Sequence, residues 1–114
     1  TTPEATLAAL AALGPSKTVL IMGGTDKNLD MNALLMELAE VKRVILLSGT
    51  GTNRVLEFIP GASVFDSLEK AVQQAFSAAE SGDTILFSPA FTSFGMFKNE
   101  YDRGDQFNAI VEKL

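Results

Sequence analysis

The sequence has 114 residues, 46% hydrophobic and 20% charged, which suits one domain around a single core and excludes a disordered segment. A net charge of -5, from nine Lys and Arg against 14 Asp and Glu, repels phosphate backbones and argues against a nucleic-acid partner. With no Cys and no His, the chain cannot by itself supply a disulfide, a thiol nucleophile, a Ser-His-Asp triad or the usual zinc ligands, so no metal site is expected in it.

In chain order, Thr2-Pro3-Glu4 offers a capping hydroxyl, a proline for the first helical position and an acid near the positive helix end. Leu7, Leu10, Ala11 and Leu13 follow at helical spacing, and Gly14-Pro15 ends the helix. Residues 17–22 run through Val19, Leu20, Ile21 and Met22 without alternation, the pattern of a strand covered on both faces. After a loop at residues 23–28, Met31, Leu34, Leu35, Leu38 and Val41 predict a helix of about three turns. Residues 43–47 repeat the buried-strand pattern, then come a loop at 48–52 and a short helical stretch through Val55, Leu56 and Phe58.

Pro60-Gly61 breaks that stretch, and residues 63–65 predict a short strand. Asp66-Ser67-Leu68-Glu69 reads as an Asp variant of the capping box, heading a helix with Leu68, Val72, Ala75, Phe76 and Ala79 on its stripe. Gly82-Asp83 turns the chain into a fourth strand at 84–88, a loop follows to Lys98, and residues 103–114 predict a closing helix. Strands alternating with helices imply an α/β, Rossmann-like three-layer domain with a mostly parallel sheet and helices on both faces. No apolar run approaches the ~20 residues that span a bilayer, and residues 1–13 lack the basic start and apolar core of a signal peptide. A soluble protein with no membrane partner is expected.

Open parallel sheets bind ligands beyond the carboxyl ends of their strands, and three loops emerge there. The first joins Gly23 and Gly24 to Thr25, Asp26 and Lys27. Its glycines permit close backbone approach and Lys27 is a point charge for an anionic ligand; alternatively the glycines only turn the chain and Lys27 is a solvated surface residue. The second offers Gly49-Thr50-Gly51, but Arg54 stands where a dinucleotide fingerprint needs its third glycine, and no GxxxxGK[ST] loop occurs anywhere, so an ordinary loop is expected. The third, residues 88–98, carries the hydroxyls of Ser88, Thr92 and Ser93 and the rings of Phe91, Phe94 and Phe97. Hydroxyls can donate to a carboxylate while rings wall off a pocket, or the rings belong to the core. Arg103-Gly104-Asp105 reads as helix initiation rather than an adhesion tripeptide.

The motifs Gly23-Gly24-Thr25-Asp26-Lys27, Ser88-Pro89-Ala90-Phe91-Thr92-Ser93-Phe94 and Phe97-Lys98-Asn99 through Arg103-Gly104 to Phe107 resemble one family in order and spacing. It is the C-terminal domain of the D-glutamate-adding Mur ligases, the UDP-N-acetylmuramoyl-L-alanine:D-glutamate ligases. The opening Thr1-Thr2-Pro3-Glu4-Ala5-Thr6 is similar to the segment after that family's Asp-Ser-Lys motif.

The resemblance implies a cytoplasmic, monomeric, three-domain ligase of peptidoglycan precursor synthesis. In it ATP and Mg²⁺ activate the carboxylate of UDP-N-acetylmuramoyl-L-alanine as an acyl phosphate, which the D-glutamate amine attacks. Residues 1–114 would be the amino-acid-binding domain, closing over a central ATPase domain; that domain and the N-terminal UDP-binding domain would lie outside this chain. The domain alone is then expected to be inactive, with no catalytic residue and no bound cofactor of its own.

Carried over by position, the resemblance assigns Lys27 to one glutamate carboxylate, Ser93 to the other end of that substrate, Phe94 to the apolar wall beside it, and Thr1 to a further glutamate contact. Glu100 stands where some members place an aromatic ring, with Tyr101 next to it, and neither is given a role. The alternatives are the equivalent domain of another Mur ligase or of folylpolyglutamate synthase, and a stand-alone Rossmann-like binding module.

Overall fold

The first helix, α1 (Pro3–Leu13), starts where Thr2 stays extended and its Oγ1 accepts the Ala5 N–H at 3.1 Å. It ends at Gly14, whose φ of 88° leaves the helical region while its N–H still donates to Leu10 O. The computed structural model describes residues 2–24, 30–59, 61–88 and 100–112, the last stretch without the side chains of residues 100–102.

Four strands follow within these residues: β1 (Thr18–Met22), β2 (Arg43–Leu47), β3 (Ser63–Phe65) and β4 (Thr84–Phe87). All three pairings are parallel, in the order β3-β2-β1-β4. The helices between and after them are α2 (Asn32–Leu38), α3 (Thr50–Val55), α4 (Leu68–Ala78) and α5 (Glu100–Glu112).

Because strand side chains alternate, the unbroken apolar run of β1 divides between two cores. Leu20 and Met22 point to one face, joining Leu10 of α1, Leu34 and Leu38 of α2, Leu46 of β2 and Val55 of α3. Val19 and Ile21 point to the other, joining Ile45 and Leu47 of β2 and Leu68, Ala71, Val72 and Ala75 of α4, with Phe107 and Ile110 of α5 packed against them. Three layers result, as the alternation of elements predicts. At roughly 1.5–3 kcal/mol per fully buried aliphatic side chain, β1 and β2 both tie the layers together.

Several local expectations need correction. On α1 the buried face is Pro3, Thr6 and Leu10, while Ala11 and Leu13 are exposed. The helix predicted through Val41 is only two turns long: Glu40 and Val41 donate to Glu37 O and Leu38 O, tightening the chain so that it can turn into β2. The Asp variant of the capping box gives way to Ser67, whose Oγ accepts the Lys70 N–H at 3.4 Å, and Asp66 instead pairs with the Lys70 ammonium at 3.8 Å. Phe76, expected on the buried stripe of α4, is 60% exposed. Residues 50–52, expected in a loop, form the first turn of α3. The last helix starts at Glu100, three residues before the expected start, so Arg103 lies inside it.

At the amino end of the sheet, Lys42 bonds Asp83 and lies 3.6 Å from Glu80, joining the entry of β2 to the entry of β4. The hydrogen bond to Asp83 holds the Lys42 ammonium above its usual pKa, and the same bond, helped by the Glu80 N–H, holds the Asp83 carboxyl below its own.

Candidate functional site

The chain runs outward from β1 to β2 to β3 and then returns to the other side of β1 with β4. Strand order therefore reverses between β1 and β4, and a crevice forms beyond the carboxyl ends of such a pair, where neighbouring loops part to opposite faces. Two of the three candidate loops leave from these ends. Ile21 is in register with Phe87, and the Ser88 N–H donates to Ile21 O at 3.1 Å, so the two loops start one hydrogen bond apart.

The start of α1 reaches the same point. The Thr6 hydroxyl, fully buried, is 2.8 Å from the Ser88 hydroxyl and 3.4 Å from both Ser88 O and Thr2 O. One arrangement uses both protons: Ser88 donates to Thr6 Oγ1, and Thr6 donates back to the carbonyls. Thr2, Gly24 and Ser88 are thus the described residues from which the chain runs on to Thr1, Lys27 and Ser93. Thr1, Lys27, Ser93 and Phe94 themselves lie outside the described residues, as do the rings of Phe91 and Phe97 and the side chains of Glu100 and Tyr101.

The two glycines after β1 serve the protein's own packing. Gly23 has φ 135°, and a Cβ there would overlap Leu47 O and lie 2.8 Å from Leu47 N and from Thr52 Oγ1. Gly24 O accepts the Gly51 N–H at 2.8 Å, and Gly49 lies so close to Gly24 that a Cβ would meet its carbonyl carbon at 2.8 Å. Thr52, buried, donates its hydroxyl to Leu47 O. The glycine pattern after β2 therefore accommodates the loop after β1, and the close approach read from Gly23 and Gly24 is met by protein backbone.

Sequence reasoning overlooked two residues at this end of the sheet. Thr6 was passed over because Leu7, Leu10 and Leu13 dominate the apolar count of α1, although a polar residue at three- and four-residue spacing from Pro3 and Leu10 marks a buried hydroxyl. Arg103, read as helix initiation, is 3% exposed. It stands one turn before Phe107, whose ring lies 4.8 Å from that of Phe87 at the end of β4. One turn of helix separates Arg103 from Phe107 by about 6 Å along the axis. The signal was present as the spacing of Arg103, Phe107 and Ile110 along one helical stripe. No buried side-chain nitrogen or oxygen lacks a partner among the described residues.

Among the described residues there is no group of three or more acidic, imidazole or thiol side chains that could hold a metal ion, and no metal-dependent step is assigned to them. None of the described helices is long and apolar enough to cross a membrane.

A family model described as "Mur ligase, glutamate ligase domain" matches residues 1–91. The chain belongs to this family. It is 45% identical over 122 residues to the UDP-N-acetylmuramoylalanine--D-glutamate ligase of Roseiflexus sp. (strain RS-1), covering 100% of this chain and 26% of that protein. The ligase of the same name from Borreliella afzelii (strain PKo) is 41% identical over 120 residues, covering 100% and 27%. That of Treponema pallidum (strain Nichols) is 40% identical over 116 residues, covering 97% and 22%. The chain therefore spans about a quarter of the length of these curated relatives, 26% and 27% in the first two cases. The family match includes residues 23–31 after β1 and residues 88–91 after β4.

Proposed function

We propose that this chain is the C-terminal, amino-acid-binding domain of a cytoplasmic ligase that joins D-glutamate to UDP-N-acetylmuramoyl-L-alanine in peptidoglycan precursor synthesis. The observation that carries this reading is that relatives named for that reaction match all of the chain at 41 and 45% identity. Such an enzyme needs ATP and Mg²⁺ to activate the acceptor carboxylate, and the sequence has no phosphate-cradling pattern, so that activation is assigned to other segments of the full-length protein. The domain docks against the ATPase domain and presents the amino acid.

D-Glutamate brings two carboxylates and an amine that must stay free to attack. Lys27 supplies a cation for one carboxylate, and Ser93, with Thr1, supplies donors for the rest of the molecule. Phe94 excludes water beside them. The approach of the segments that precede and follow these residues supports this: the Thr6 hydroxyl links Thr2 to Ser88, and the Ser88 N–H donates to Ile21 O, near the end of β1.

The test uses the full-length enzyme with ATP, Mg²⁺ and UDP-N-acetylmuramoyl-L-alanine, following phosphate release with D-glutamate, L-glutamate or diaminopimelate. Turnover dependent on D-glutamate is expected; turnover only with another amino acid overturns the reading. In the same assay, loss of the charge-assisted contact in Lys27→Ala is expected to raise the KM for D-glutamate by roughly 10- to 100-fold. An unaltered KM for D-glutamate would count against its role.

A further inference from the structure

We propose that Thr6 is a positioning residue of the ligase reaction: its buried hydroxyl ties the first turn of α1 to the exit of β4 and so sets the spacing between the segments leading to Thr1 and to Ser93. The inference rests on the D-glutamate reading above and extends it to a residue that meets no substrate.

The argument begins with the cost of the residue. A β-branched hydroxyl side chain on the buried face of a helix lowers helix propensity and must find hydrogen-bond partners away from water. Valine, equally β-branched, would fill a similar volume without the need for hydrogen-bond partners. Thr6 meets the demand across the fold rather than within its helix alone: the contact to Ser88 Oγ at 2.8 Å is the shortest of its three and spans 82 residues of sequence. Ser88 in turn donates its backbone N–H to Ile21, two residues before Gly23. A continuous path of hydrogen bonds thus runs from Thr2 through Thr6 and Ser88 to the end of β1. The apolar face of α1 joins a layer with Leu20 of β1 and Leu34 and Leu38 of α2, with Leu86 of β4 packed against it, so the Thr6 hydroxyl adds a directional tie to that apolar packing. The Thr6 hydroxyl thus holds the first turn of α1 to the start of the third loop.

The matched control is Thr18, also fully buried, whose hydroxyl donates to Gly14 O at 2.8 Å at the opposite, amino end of the sheet. Thr6→Val and Thr18→Val each remove one buried hydroxyl without changing volume. In the full-length enzyme, Thr6→Val is expected to raise the KM for D-glutamate by about 3- to 10-fold, with the KM for ATP unchanged. Thr6→Ser, which keeps the hydroxyl, restores it, and Thr18→Val lowers the melting temperature while leaving the KM for D-glutamate as in wild type. An unchanged KM in Thr6→Val, or equal shifts in Thr6→Val and Thr18→Val, overturns the proposal.

If the wild-type enzyme does not use D-glutamate, the functional reading fails separately. The tie is then read by amide hydrogen exchange: faster exchange at the Ser88 N–H in Thr6→Val, with the Lys42 N–H unaffected, supports it, and unchanged exchange at Ser88 sinks it. Ser88→Ala, which leaves the Thr6 helix intact, gives the same readings should Thr6→Val fail to fold.

Discussion

Three glycines let the cost of backbone strain be separated from the cost of close packing. Gly14 has φ 88° with nothing within 4 Å of a Cβ, so Gly14→Ala meets only conformational strain, about 1–3 kcal/mol. Gly49 is extended, and a Cβ there would run into the backbone of Gly24; Gly49→Ala meets only the overlap, about 1–3 kcal/mol if the neighbouring loop can shift. Gly23 carries both burdens, with φ 135° and a Cβ position overlapping Leu47 O, so Gly23→Ala should cost about 3–5 kcal/mol. For a domain of this size each kcal/mol moves the melting temperature by roughly 4 °C. Thermal unfolding followed by circular dichroism should therefore order the variants as wild type, then Gly14→Ala and Gly49→Ala, then Gly23→Ala, the last about 12–20 °C below wild type. A Gly23→Ala variant no less stable than Gly14→Ala would mean that Leu47 and Thr52 yield freely, and a tightly packed junction there would be refuted.

Across neutral pH the difference in melting temperature between wild type and Lys42→Met should be flat. Asp83, depressed by its bond to Lys42, contributes fully above its usual 3.8 and loses that contribution as pH falls through its lower folded value. Lys42, raised by the same bond, contributes fully below its usual 10.5 and loses that as pH rises through its higher folded value. A difference that changes between pH 6 and 8 would contradict the assignment. On α4, Leu68→Ala should cost about 2–5 kcal/mol and Phe76→Ala less than about 1, because Leu68 is 4% and Phe76 60% exposed. Equal losses in chemical denaturation would show that Phe76 is covered in solution.

The sequence by itself was enough to place the strands and to expect helices on both faces of the sheet. Unalternating runs such as Val19, Leu20, Ile21 and Met22 have few stable arrangements other than a strand buried on both faces, and the intervening helical stripes require parallel pairing. The family likeness was legible for a related reason: residues at strand-end loops carry a ligand's chemistry in a fixed order and spacing.

Tertiary structure alone decided which face each residue took and which loops met. Periodicity admitted Phe76 and Leu13 to buried stripes, yet both are exposed, because the width of a buried face depends on what packs against it. Nothing local distinguishes Gly23 as a packing glycine from Gly23 as a ligand-facing one; the distinction comes from Leu47 and Thr52, more than 20 residues away in the chain. In the same way, the meeting of Thr2, Ser88 and the end of β1 depends on strand order, and strand order is a long-range property that pattern reading does not reach. The chemistry of the candidate loops is written in the sequence. That two of them start one hydrogen bond apart is a consequence of β4 pairing with the far side of β1.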